Sequence, residues 1–311
     1  MKVNNTLPSN LDSYATFQIA QFLSVGIVII SAIGCIANIL SYFTADHLGE
    51  KSHGGVYIKW LAFADFNSVF FDGIINVGLE FLKIKTLNNI TPVCKVLMWH
   101  NWSSTFASHW MVVAFTFDRF LATTFPILYR SEVKRSTANK LCLAMLVLNY
   151  LLCSPLLIFF YNDDGLCVPA YLPDIAGYYI QVMLFVFYSG APVFSIVFMN
   201  IAIIWGLKRM KDVSGSKDKE DKRKKAERSL TVLLSVVSIS FLITSTASAI
   251  LSQSWALIET SEDDPKSLAL KELLRVLTEF PACINNSINF FLYCISGQMF
   301  RNAFFTMIKC G

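Results

Sequence analysis

Charge is what this sequence has least of. Only 15% of its 311 residues are Asp, Glu, Lys or Arg, against about a quarter in soluble domains. The scarcity is uneven. From Tyr161 to Asp174 there is no Lys or Arg, only Asp163, Asp164 and Asp174. No grouping of His or acidic residues has the spacing of a metal or nucleophilic site, which leaves an enzyme without support. No internal repeat appears, and a transporter would be expected to show one along with paired charges at mid-membrane. No cleavable leader is evident either. The first fifteen residues are polar, and the apolar run that follows is too long for a signal-peptide core, so it reads as an anchor that stays in the membrane.

What is abundant is oil. The chain is 54% hydrophobic, its mean hydropathy is +0.51 and it holds 26 Phe. A water-soluble core does not need this, so the chain reads as a membrane protein. Seven apolar stretches have spanning length: 17–43, 54–82, 94–125, 137–160, 176–207, 229–254 and 270–296. The expected fold is an all-α bundle of seven transmembrane helices over 17–296, with an N-terminal tail at 1–16. Residues 297–311 form a C-terminal segment in which Phe300, Phe304, Phe305 and Ile308 recur at helical spacing, as in a short amphipathic helix on the membrane surface.

Orientation follows from the basic residues. Ten Lys and Arg fall between 208 and 228, and Arg130, Lys134, Arg135 and Lys140 follow the third stretch. These segments are expected in the cytoplasm, with the N-terminus outside. Asn4 and Asn89 then fall in extracellular glycosylation sequons. Cys310, just past the amphipathic segment, is a palmitoylation candidate. Most of the eight cysteines lie inside apolar runs. Cys94 and Cys167 sit at span ends and are the candidate disulfide pair.

A charged or strongly polar group costs a few kcal/mol in a bilayer, so those within the spans carry information. Asp65 lies near the middle of the second span. Asn38, Ser108, Asn285 and Asn289 are its candidate partners, and together they would form an oxygen-rich site for sodium or water. Asp118-Arg119 ends the third span, twenty-five residues after Cys94, a separation of about 37 Å in a helix. Arg119 is expected to pair with Asp118 and with Glu227. Pro155 and Pro192, the latter near Gly190, should bend their helices. Asn101, Gln181, Gln253 and Glu279 lie in the outer halves of their spans, where they would line a pocket. Taken singly, each also reads as a wet helix end.

In order and spacing these features resemble the rhodopsin-like (class A) G-protein-coupled receptors from Gly34 to about Cys310. Gly34 and Asn38 match the span-one motif, Leu61-Ala62-Phe63-Ala64-Asp65 the LAxAD motif, and Cys94 with Cys167 the disulfide from span three to the outer loop. Asp118-Arg119-Phe120 matches DRY with Phe for Tyr, and Pro126-Ile127-Leu128-Tyr129 follows at the family spacing. Pro192, Glu227 and Phe241 match the span-five proline, the latch acid and the switch phenylalanine. Asn289-Phe290-Phe291-Leu292-Tyr293 matches NPxxY without its proline, and Phe300-Arg301 matches the start of the eighth helix.

The departures are equally specific. The span-four tryptophan is missing, with Met145 near its place. CWxP reads Thr244-Ser245-Thr246-Ala247. Asn200 replaces a span-five tyrosine. His109 stands where a branched aliphatic is usual, as either a neutral core histidine or a pH sensor. The whole pattern resembles divergent invertebrate receptors of the FMRFamide-like neuropeptide group.

The resemblance implies a plasma-membrane receptor without a cofactor, sodium apart. Its partners would be an extracellular ligand, expected to be a peptide, a heterotrimeric G protein and arrestin, with no nucleic acid. Asp118, Arg119, Phe120, Ile127, Glu227, Asn289 and Tyr293 would carry the coupling switch, and His109, Pro192 and Phe241 the connector. Asn101 stands where amine receptors carry Asp, and Cys283 where opsins carry Lys, which argues against both ligand types. Glu279 suits a cationic ligand. Small-molecule chemosensation, a receptor-like protein that does not signal, and a transporter are the alternatives.

Overall fold

The structure, a computed structural model, describes residues 14–49, 54–78, 91–132, 134–163, 166–169, 179, 182–211, 218–257 and 264–310. Asn4, Asn89 and Gln181 lie outside the described residues. So do the side chains of Cys167, Glu227, Gln253 and Cys310, although their backbone is described.

Helix α1 covers Ala15–Gly49 and α2 covers Gly54–Ser68, continuing as a π-helical segment, Val69–Val77. Helix α3 is Thr91–Thr124, about 50 Å at 1.5 Å per residue. Then come α4 (Pro126–Glu132), α5 (Arg135–Leu152) and α6 (Leu156–Phe159). A second π segment, Met183–Gly190, leads into α7 (Ala191–Lys211), followed by α8 (Asp218–Leu257), α9 (Pro265–Ser296) and α10 (Gln298–Cys310). Pro155 sits at the break between α5 and α6, as a residue without an N–H should. α8 runs through Thr244–Ala247 as one helix, in keeping with the lost proline.

The acidic stretch after α6 contains a feature its sequence does not announce. Strands β1 (Phe160–Asp163) and β2 (Leu166–Pro169) pair antiparallel, Phe160 opposite Pro169 and Asn162 opposite Cys167. Both strands pack on α3.

The bundle buries polar side chains within its apolar core and leaves large apolar ones outside. Asp65, Ser31 and Ser108 are fully buried, while Phe22, Phe194 and Ile243 are more than 65% exposed. That inversion suits lipid as the surrounding medium and poorly suits water. Four segments are long and apolar enough to cross a membrane by themselves: Ala15–Leu48, Arg135–Phe159, Val186–Gly206 and Thr231–Ser252. Helices α3 and α9 are less apolar because of their polar residues, His100, Asn101, Ser103, Ser104, Ser108 and His109 beside Asp118 and Arg119 on one, Glu272, Arg275, Glu279, Asn285, Asn286 and Asn289 on the other.

Helices α1 and α9 share the most extensive contact of the bundle. Gly34 makes it possible. A Cβ there would lie 2.8 Å from Ser287 Cβ and 3.2 Å from Ser287 Cα, so the two backbones could not approach as they do. α9 begins with Asp264 as its cap, accepting from the backbone N–H groups of Lys266 (3.1 Å) and Ser267 (3.3 Å), with Pro265 in the first turn. Asp264→Ala should cost about 1 kcal/mol, read as a small drop in Tm of the purified protein. Its far end is closed by Arg301 of α10, which donates to the carbonyls of Cys294 and Ile295, each at 2.8 Å.

Candidate functional site

Near the Cys94 end of α3 lies a cavity of about 260 Å³. Its walls come from α1, the π segment after α2, α3, the π segment before α7, α8 and α9. Asn101 and Glu279, both expected to line a pocket, are on its surface. Two residues that sequence reasoning passed over are there as well. Asp72 accepts a hydrogen bond from Asn101 Nδ2 at 2.9 Å. Arg275 donates to Glu279 from Nη1 at 2.9 Å, while its Nε and Nη2 donate to Glu272 at 3.0 and 2.6 Å. Glu279 is therefore already ion-paired within its own helix. The spacing was a readable signal: Glu272, Arg275 and Glu279 stand at i, i+3 and i+7, all on one helical face.

The cavity floor is a string of hydrogen bonds. Thr105 meets Ser68 at 2.9 Å, and Asn286 Nδ2 donates to Ser68 at 2.9 Å. Asn285 Nδ2 donates to Asn286 Oδ1 at 3.1 Å, and Thr244 of α8 donates to Asn285 Oδ1 at 3.1 Å. The string ends at the Thr244-Ser245-Thr246-Ala247 segment of α8.

Deeper in the bundle, Asp65 accepts from Ser108 and from Asn289 Nδ2, the latter at 2.7 Å. The other two expected partners are engaged elsewhere. Asn38 donates to the Asn286 carbonyl at 2.9 Å, and Asn285 belongs to the string just described. A hard cation at this point would find oxygen ligands in Asp65 and Ser108, whereas Asn289 turns its NH₂ toward the carboxylate. Tyr293, 1% exposed, has no hydrogen-bond partner for its hydroxyl among the described residues.

The residues expected to form the connector lie at a backbone irregularity with a clear local cause. Pro192 has no N–H, so the carbonyls of Phe187 and Tyr188 lose their usual donor, and the backbone opens into a π turn closed by Ala191 N–H to the Val186 carbonyl. α3 supplies the missing donors. Trp110 Nε1 donates to the Phe187 carbonyl at 3.1 Å, and His109 Nδ1 lies 2.7 Å from the Tyr188 carbonyl. A carbonyl only accepts, so His109 must carry its proton on Nδ1. Its ring also packs against Tyr188 at 4.4 Å and edge-on against Phe241 at 4.8 Å. His109 and Phe241 are thus in contact, and Pro192 bears on them through the Phe187 and Tyr188 carbonyls it leaves open.

At the other end of α3, Asp118 and Arg119 are 2% and 4% exposed. Arg119 Nε donates to Asp118 Oδ2 at 2.9 Å, and Nη2 reaches the same oxygen. Tyr129 of α4 completes the cluster: Arg119 Nη2 donates to its hydroxyl at 3.0 Å, and that hydroxyl lies 3.1 and 3.2 Å from the two Asp118 oxygens. One phenol thus bridges both charges. A link between α3 and α8 lies one turn away, Thr116 to Ser238 at 3.1 Å. Phe120 packs against Phe125, and Ile127 on α4 is 86% exposed. Asn200 bonds back to the Ile196 carbonyl of its own helix at 3.0 Å.

Residues 19–293 match the 7 transmembrane receptor (rhodopsin family). The chain belongs to that family. No individual curated protein matches it. The receptor is accordingly a non-enzymatic, multi-pass signalling protein of a seven-transmembrane family, and α10 packs against the end of α9 through Phe290, Phe300 and Phe304. Among the described residues no three His, Cys, Asp or Glu are grouped to hold a metal ion.

Proposed function

We propose that the receptor binds an extracellular ligand at the Cys94 end of α3 and passes the signal to a cytoplasmic heterotrimeric G protein at the Arg119 end. One observation carries this reading: a single helix borders a ligand-sized cavity at one end and holds a buried acid–arginine pair at the other. A buried ion pair is weak evidence for stability, and its best-attested use is to hold a switch or register. Ligand binding would favour an arrangement in which α8 swings out and Arg119 leaves Asp118, Tyr129 and Glu227 to meet the G protein. The exposed Ile127, Phe120 and the basic 208–228 segment would complete the docking surface, with Asn289 and Tyr293 joining the rearrangement. Arrestin would use the same face.

The reading has an orientation. The N-terminus is extracellular at the plasma membrane, Asn4 and Asn89 are glycosylation acceptors, and α10 lies on the inner leaflet with Cys310 palmitoylated. Phe305 and Ile308, both more than half exposed on α10, support that placement. Cys94 pairs with Cys167. In support, Cys94 is fully buried and stands apart from the free thiols among the described residues, and β2, which contains Cys167, packs on α3. Asp65 with Ser108 is where sodium would bind. The ligand class favoured by the resemblance is a neuropeptide. The cavity is small enough to keep a small-molecule ligand in play.

The test is nucleotide exchange by a panel of purified Gα subunits with full-length receptor in lipid nanodiscs. The receptor should accelerate exchange on at least one Gα, and Arg119→Ala should remove the acceleration. Equal rates with and without receptor across the panel, during a peptide and small-molecule screen, would mean a receptor-like protein that does not signal.

A further inference from the structure

We propose that the start of α5 binds an inositol phospholipid of the inner leaflet. Lys134, Arg135 and Lys140 hold its phosphates, and an acyl chain lies along the lipid-facing side of the same helix. The proposal rests on the reading that places this end of the bundle in the cytoplasm.

Charge is concentrated here. From Arg130 to Lys140 the chain carries four basic residues and one acid, Glu132. The first turn of α5 has no acid. Lys134, Arg135 and Lys140 are all exposed, and none forms an ion pair among the described residues.

The placement of Lys140 separates this patch from an ordinary basic loop. Basic residues in a loop satisfy the inside-positive preference without touching lipid. Ala138, Cys142 and Asn149 form the buried side of α5, which packs on α3 and α2. Lys140 is on the opposite side, within about 20° of Val147 and Leu151 around the helix axis. Those two are 49% and 64% exposed, and Leu143 beside them is 49% exposed. A lysine in the middle of a lipid-facing stripe must carry its ammonium to the headgroups, and helical side chains lean toward the helix start. The lean takes Lys140 toward Ser136 and Thr137, four and three residues earlier, both exposed and on the same face. One ammonium and two hydroxyls thus share a face just below Lys134 and Arg135. Along the axis Arg135 and Lys140 are about 7.5 Å apart.

The spread of cations selects the headgroup. Phosphatidylcholine has no net charge, and phosphatidylserine has a single negative one. An inositol bisphosphate lipid carries about four to five, because each phosphate monoester adds about 1.5–2 to the charge of the phosphodiester. Three cations at two depths can meet several phosphates at once. Below them, Leu143 to Leu151 offers about 12 Å of apolar helix to the chain.

The test is photocrosslinking of the full-length receptor in phosphatidylcholine nanodiscs. The probe is a phosphatidylinositol 4,5-bisphosphate with a diazirine in one acyl chain. Mass spectrometry maps the labelled residues, which separates this site from the basic 208–228 segment. Label should fall between Leu143 and Leu151. Unlabelled bisphosphate lipid should compete. Phosphatidylserine at equal total charge, about four to five molecules for each bisphosphate, should compete at least about fivefold less well. Free inositol trisphosphate offers phosphates without a chain and should compete least. Lys140→Gln should lower the label on this segment about fivefold, the contribution of one cation near a membrane surface. Lys266→Gln, at an exposed cation on the Cys94 end of the bundle, should not change it. The proposal is overturned if label is confined to other segments, if phosphatidylserine competes equally, or if Lys140→Gln is labelled like the native receptor. Orientation is scored separately, by antibody access to an N-terminal epitope on intact cells. Nanodiscs present lipid at both faces, so the labelling does not depend on it. An epitope reached only after permeabilisation would sink the cytoplasmic placement, and with it the inner-leaflet assignment. An epitope open on intact cells, with no label from Leu143 to Leu151, would sink the site alone.

Discussion

Asp118→Asn should raise ligand-free nucleotide exchange by about tenfold, a shift of about 1.4 kcal/mol in the balance between resting and active arrangements. The reason is local. Arg119 is nearly sealed from solvent, and Asp118 is the anion that its Nε and Nη2 both address. Removing one member of a buried pair leaves the other uncompensated, at about 3–5 kcal/mol. The protein can escape part of that cost by moving Arg119 into the crevice where a G protein binds. Tyr129→Phe should act in the same direction but less, about two- to fivefold, because it deletes a hydroxyl worth about 0.5–1 kcal/mol. Combining Asp118→Asn with Arg119→Ala should return exchange to the receptor-free rate. If Asp118→Asn behaves like the native receptor in nanodiscs with the same Gα, Asp118 does not hold Arg119 at rest.

The second large effect is on folding. Gly34→Leu should leave a receptor that unfolds about 6–12 °C lower, taking about 3 kcal/mol for overpacking and about 2–4 °C per kcal/mol. Ser287 stands against Gly34 with backbone behind it, so no flexible side-chain tip can move aside. The whole α1–α9 seam would have to open. Gly34→Ala should already show part of the loss. An unchanged unfolding temperature for Gly34→Leu, measured on protein purified in the same lipid, would mean the two helices do not meet there.

The helical bundle was legible because lipid imposes long apolar runs and drives polar groups inward. Asp65, Asp118 and Arg119 stood out in the sequence for that reason, and all three are buried. The two π segments were not legible. Hydrophobic periodicity reports which face is apolar, and it does not report whether a backbone N–H reaches back four residues or five. The β1–β2 hairpin was hidden too, since the 160–169 stretch lacks the alternation that marks a strand facing a core. At the site, Asn101 and Glu279 could be anticipated because an isolated polar residue in oil is conspicuous. Asp72 and Arg275 were passed over although each is a charge inside an expected span, at a helical spacing from a residue that was noticed. Asp72 follows Asp65 by seven residues, two helical turns, and Arg275 lies one turn before Glu279. Asn38 and Asn285 show the opposite error. Proximity to Asp65 in the sequence pattern could not tell that both would bond to Asn286, or pass through it, instead.

If the proposed function holds, the string from Ser68 through Asn286 and Asn285 to Thr244 would give this receptor a different transmission from one built on a swinging ring. An indole can only be in one rotamer or another, and it moves as a unit. Amide and hydroxyl groups can trade partners one at a time, each exchange worth about 1 kcal/mol. Occupancy of the cavity would therefore reach α8 in small increments, and agonists of closely similar shape would differ in how far they push as well as in how tightly they hold.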